Sequence, residues 1–135
     1  MVGSVAHIGI AVKDLKKAVE LYSTLFGAPP VHTERVEEQH VNTALFSFGG
    51  TSVELLESTA PDSFIARFIE SRGEGMHHVS FGVSDIVAEL ARLQKAGFQL
   101  IDERPRKGAD NCLVAFIHPK SSTGVLIELS QKLPR

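Results

Sequence analysis

The chain has 135 residues and a formal charge of −2 at pH 7, from 14 basic and 16 acidic side chains. That length makes one domain able to bury its own core, and 43% apolar with 22% charged residues excludes a disordered or fibrous chain. With no block of lysine and arginine, no apolar run near the roughly 18 residues of a membrane span and a lone cysteine, Cys112, the composition argues against nucleic acid, membranes, intrachain disulfides and thiolate zinc clusters.

The start, Met1-Val2-Gly3-Ser4, lacks the basic and apolar regions of a signal peptide, so a cytoplasmic protein is expected. A short apolar strand, Ala6 to Val12, comes first, and Asp14 then stands where a helix cap belongs. Leu15, Ala18, Val19, Leu21, Tyr22, Leu25 and Phe26 recur at helical spacing, and Gly27 marks the helix end. After a variable stretch holding His32 and His40, which reads as solvated, Val41 to Phe48 predicts a strand. Gly49-Gly50 turns it into a second one, Ser52 to Leu56. Phe64, Ile65, Phe68 and Ile69 predict a connecting helix, with Gly73 and Gly75 ending it.

The pattern then repeats. His77-His78-Val79-Ser80-Phe81-Gly82-Val83-Ser84-Asp85-Ile86 matches Ala6-His7-Ile8-Gly9-Ile10-Ala11-Val12-Lys13-Asp14-Leu15 at a constant offset of 71. A helix carrying Ile86, Leu90, Leu93 and Ala96 runs to Gly97. Cys112 to His118 and Val125 to Leu129 form the closing strands, separated by a turn from Ser121 to Gly124. The expectation is an α+β fold of two βαβββ modules, with mixed sheets and helices outside. It is a single domain over 4–132: module one 4–58, connecting helix 61–72, module two 75–132. A unit of roughly 60 residues buries little core alone, so the two are expected to pack together.

Duplication brings equivalent residues near a pseudo-twofold axis. His7 and His78 occupy one place in the first strands, Glu54 and Glu128 one place in the last strands. Each interrupts a run of Ile, Val and Leu, and burying an imidazole or carboxylate there is costly without a partner or a metal. One such residue reads as an ordinary hydrogen-bonded or solvent-facing side chain. Four at equivalent places read as a metal site, with a nitrogen and oxygen set suited to zinc, cobalt, nickel, manganese or iron(II). His77 is its neighbour's rival as ligand, but strand alternation sends it to the opposite face. His118 and Lys120 are the candidates for direct substrate contact.

The segments His7 to Val12, Val53-Glu54-Leu55-Leu56-Glu57, Gly75 to Val79, His118-Pro119-Lys120-Ser121 and Gly124 to Leu129 resemble the vicinal-oxygen-chelate (VOC, glyoxalase-like) superfamily. Within it they are most similar to the methylmalonyl-CoA epimerase family. The resemblance implies a curved mixed sheet around a metal-binding cleft, with His7, Glu54, His78 and Glu128 as ligands to a divalent ion (cobalt, manganese, nickel or zinc). Four protein ligands leave two octahedral positions, the number a bidentate substrate requires. It also implies an isomerase acting on an acyl-CoA, with Glu128 as the first candidate base and Glu54 the second, and a homodimer. Lys107 and Arg106 join Lys120 as possible phosphate contacts. Two departures stand out. Gln39-His40-Val41 replaces a segment where the family usually has glycine, and Thr43 stands nearest to where some members place a second catalytic carboxylate. Rival readings are a lactoylglutathione lyase, an extradiol dioxygenase, against which the fourth ligand Glu54 counts, and a metal-free small-molecule binding protein.

Overall fold

The computed structural model describes residues 1–134. Among them are β1 (Val2–Ala11), α1 (Leu15–Phe26), β2 (His32–Val36), β3 (Val41–Phe48), β4 (Thr51–Ser58), α2 (Phe64–Arg72), β5 (Gly75–Val83), α3 (Ile86–Lys95), β6 (Arg106–Lys107), β7 (Cys112–Ile117) and β8 (Ile127–Lys132). The order is βαβββ twice with α2 between, an α+β arrangement as the repeat predicts. No helix of the described residues is long and apolar enough to cross a membrane. The chain divides into two compact units, Ile8–His77 and Met1–His7 with the chain from His78 onward, so the division passes through β1.

In the unit 8–77, β2, β3, β4 and the second half of β1 lie side by side. The β2–β3 and β3–β4 pairs are antiparallel, with Ala44 opposite Leu55 and Leu45 opposite Glu54. Because side chains alternate along a strand, Ala44, Phe46 and Leu55 share one face, and Glu54 belongs to the other. Helix α1 covers the first face: Leu15, Ala18, Val19, Tyr22 and Phe26 pack on Val12, Ala44, Phe46 and Leu55. Asp14 caps this helix by accepting from the Lys17 N–H at 3.2 Å, and Gly27 ends it with φ 77°, a conformation only glycine adopts at no steric cost.

The other unit follows the same logic. Its strand order is the first half of β1, then β5 from His78 onward, β8, β7 and β6. Strand β5 runs parallel to β8, and β7 runs antiparallel to it. Ala115 and Leu129, paired across β7 and β8, join Val83 and Ile117 beneath Ile86 and Leu90 of α3. Asp85 caps α3 through the Ala88 N–H at 3.1 Å, as Asp14 does for α1. The face away from α3 receives Phe116 and Glu128, themselves register partners. In each unit, then, the helix takes the apolar face and leaves a glutamate of the last strand on the reverse.

Strand β2 is absent from the periodicity of the sequence, because its His32-Thr33-Glu34-Arg35 segment is polar and mostly exposed. It forms through its ladder with β3. Between them lies a short 3-10 turn, Glu37–Gln39, which ends at His40 with φ 53° and ψ 49°. That is the left-handed region, and it explains why a glycine suits this place. A non-glycine residue there carries a local penalty of about 1–2 kcal/mol, partly offset by the greater freedom glycine has when unfolded. His40→Gly is therefore expected to raise stability by about 0.5–1 kcal/mol, read as an increased urea midpoint.

Candidate metal centre

Strands β1 and β5 are neighbours, and each brings its histidine to the same place. His7 Nε2 lies 3.0 Å from His78 Nε2. Glu128, on β8 beside β5, sends Oε1 to 3.2 Å from His7 Nε2 and 3.9 Å from His78 Nε2. The side chains of His78 and Glu128 are 1% and 5% exposed, that of His7 14%, so the cluster is desolvated. All three residues belong to one compact unit.

The three atoms are poorly served by one another. Two facing imidazole nitrogens share at most one proton, and Glu128 Oε1 is buried with no hydrogen bond of good geometry. Ligands held about 2.0–2.2 Å from one ion, at angles between octahedral and tetrahedral, stand roughly 3.0–3.5 Å apart. The two shorter separations here fall in that range, and 3.9 Å corresponds to a wider angle. Two imidazoles and a carboxylate with one orphaned oxygen fit a divalent metal. Burial pushes the Glu128 carboxyl up, but the close His7 and His78 imidazoles outweigh it, so its pKa is lowered. The carboxylate form, which a ligand or a base requires, is the favoured one.

Neighbours hold the cluster in shape. The Phe116 ring meets the His78 ring edge to face, with centroids 5.6 Å apart and planes at 89°. The Arg106 guanidinium lies over the Phe116 ring, 5.8 Å from its centroid, and 3.7 Å from Asp102. Sequence reasoning did not single out Phe116 or Ser80. Ser80 carried a readable signal, since it lies two residues beyond His78 and so on the same strand face.

The remaining predicted residues are placed as follows. Glu54 is 6% exposed in β4, in the other compact unit. His77 is buried in that unit as well, its ring against Phe64 at 5.2 Å and Phe68 at 4.8 Å, an aromatic setting on the face opposite His78. The Thr43 hydroxyl donates to the Glu34 carbonyl at 3.3 Å, so this position offers no carboxylate and its polar atom is engaged. His118 is half-buried, and its Nδ1 accepts from the Lys120 N–H at 3.1 Å, which leaves the proton of the neutral ring on Nε2. The Lys120 and Lys107 side chains are exposed, and His32 pairs with Glu34 at 2.8 Å on the surface.

Residues 6–116 match the family model described as the Glyoxalase/Bleomycin resistance protein/Dioxygenase superfamily. This chain is a member of that superfamily. Superfamily members commonly bind a divalent metal ion, in keeping with the donor set of His7, His78 and Glu128. Among its superfamily relatives, the uncharacterized protein YqjC of Bacillus subtilis is 42% identical over 93% of this chain and 89% of its own length. The mitochondrial methylmalonyl-CoA epimerase of Homo sapiens is 36% identical over 96% of this chain and 74% of its own. A solved structure of a Streptomyces coelicolor methylmalonyl-CoA epimerase variant in complex with 2-nitronate-propionyl-CoA is 35% identical. It superposes with a TM-score of 0.95 over 99% of this chain and 100% of that one, so the two share the glyoxalase fold.

Proposed function

We propose that this chain is a methylmalonyl-CoA epimerase, removing the C2 proton from one face of the acyl group and returning it to the other. The observation that carries this reading is the convergence of His7 Nε2, His78 Nε2 and a desolvated Glu128 carboxylate within 3.0–3.9 Å. Similarity to epimerases along nearly the whole chain supplies the substrate class.

The difficulty of the reaction is the enolate, because negative charge develops on the thioester oxygen beside an existing carboxylate. His7, His78 and Glu128 would hold a divalent ion, with Glu54 as fourth ligand. Glu54 is assigned by its equivalence to Glu128 in the repeat and by its burial in β4. When bound, the ion supplies Lewis acidity toward the developing oxyanion and the neighbouring carboxylate. Glu128, as a carboxylate, takes the C2 proton, and Glu54 serves the opposite face. Thr43 supplies no second base, which leaves that work to the ligand carboxylates. His118 Nε2–H and the Lys120 ammonium are donors for the anionic parts of the acyl-CoA, with Arg106 and Lys107 as further phosphate contacts. Cobalt, manganese, nickel or zinc satisfies the ligand set. By the same resemblance the working form is a homodimer.

The test is exchange at C2 of methylmalonyl-CoA followed by NMR in deuterated water, with cobalt- or manganese-loaded enzyme against chelator-stripped enzyme. Metal-dependent exchange far above the no-enzyme control, with loss of handedness at C2, is the expected result. Background exchange by a metal-loaded enzyme would overturn the reading. Turnover of a glutathione hemithioacetal, or catechol-dependent oxygen uptake, would then identify a lactoylglutathione lyase or a dioxygenase.

A further inference from the structure

Ser80 stands in β5 directly opposite Glu128 of β8, as its partner in a parallel ladder. Both are buried, Ser80 at 0% and Glu128 at 4% exposure. Ser80 Oγ and Glu128 Oε1 are each sealed from water without a hydrogen bond of good geometry. An unmet hydroxyl in a fully buried strand position is unfavourable, and alanine would occupy the place without that cost. The flanking residues, Val79 and Phe81, are apolar. An ionised carboxylate only accepts, and a serine hydroxyl turns freely about its C–O bond to donate. Two orphaned groups of complementary character therefore face each other across one rung of the sheet.

We infer that Ser80 is a positioning residue: its hydroxyl donates to the Glu128 carboxylate and fixes which oxygen is presented to the metal beside His7 and His78. Small adjustments about the side-chain torsions of Ser80 and Glu128 complete this bond, with no change in the ladder that carries them. Phe116, the partner of Glu128 on its other side, has only an apolar ring to offer, so Ser80 is the flanking residue able to orient the carboxylate. This inference rests on the reading of His7, His78 and Glu128 as a metal centre. It concerns the orientation of Glu128, not the removal of a proton from substrate.

The experiment compares wild type, Ser80→Ala and Ser80→Thr as full chains. Three quantities are read: thermal unfolding of the metal-free protein, cobalt(II) affinity with its visible spectrum, and kcat and KM for C2 exchange. Loss of an outer hydrogen bond to a ligand costs about 10–100-fold in metal affinity or activity. Ser80→Ala is expected to bind cobalt(II) about 10–100-fold more weakly with a shifted spectrum, and to lose kcat with KM unchanged, thermal unfolding confirming that the chain is folded when these are read. Ser80→Thr, which keeps the hydroxyl, restores the wild-type spectrum. Wild-type affinity and spectrum in Ser80→Ala would overturn the inference while leaving the metal centre standing. If wild type itself binds no cobalt(II), the metal centre fails and the inference with it. If wild type binds cobalt(II) yet exchanges nothing at C2, only the substrate assignment fails, and the spectra still decide the role of Ser80.

Discussion

Glu128→Gln is expected to lower the rate of C2 exchange by about 10²–10⁴-fold, the loss typical of removing a positioned general base. The substitution preserves shape but replaces one accepting oxygen by a donor NH2 and removes the negative charge beside His7 and His78. It also withdraws an anionic ligand, so cobalt(II) binding weakens in parallel. His78→Ala is expected to act in the same direction, because it removes one of the two imidazole ligands beside Glu128. The check is exchange measured together with metal content on the same samples. Wild-type exchange in either variant would remove that residue from the site.

Leu55→Ala is expected to destabilise the chain by about 2–5 kcal/mol, a large part of the 5–15 kcal/mol typical of a domain. Leu55 is fully buried in β4, at the centre of the cluster where α1 meets Val12, Ala44 and Phe46. Its register partner is Ala44, too small to fill the space left by three lost carbon atoms. The measurement is urea unfolding, with a lower midpoint at an unchanged slope. A loss below about 1 kcal/mol would mean that α1 settles onto the sheet and closes the cavity, which the surrounding aromatic contacts of Phe26 with Phe46 and Phe48 oppose.

What can be read from a sequence differs between these two cases. The Leu55 core is local pattern: a helix with an apolar stripe, strands with alternating faces, an Asp to start the helix and a glycine to end it. Both α1 and α3 appear with those caps, and α2 starts only at Phe64 because Ser63 caps it through the Ala66 N–H. Strands without such a pattern escaped. Polar β2 exists through its pairing with β3, and β6 is two residues held against β7. Strand β8 begins at Ile127, two residues after the apolar run starts, because Ser122 draws Val125 into the turn by hydrogen bonds at 2.7 and 3.2 Å.

The sequence by itself determined that the chain is a duplicated βαβββ protein, and that His7, Glu54, His78 and Glu128 are its equivalent polar interruptions. Repetition at a fixed offset is a property of the linear chain, and a charged group inside an apolar strand calls for a partner wherever that strand lies. Tertiary structure alone decided that two nitrogens and one carboxylate oxygen of His7, His78 and Glu128 converge within 3.0–3.9 Å, and that Ser80 faces Glu128. It also decided that compactness divides inside β1. Caps and periodicity depend on neighbours three or four residues away. Pairings between strands dozens of residues apart are selected by which apolar faces are buried together, and only that selection puts particular atoms within reach of one another.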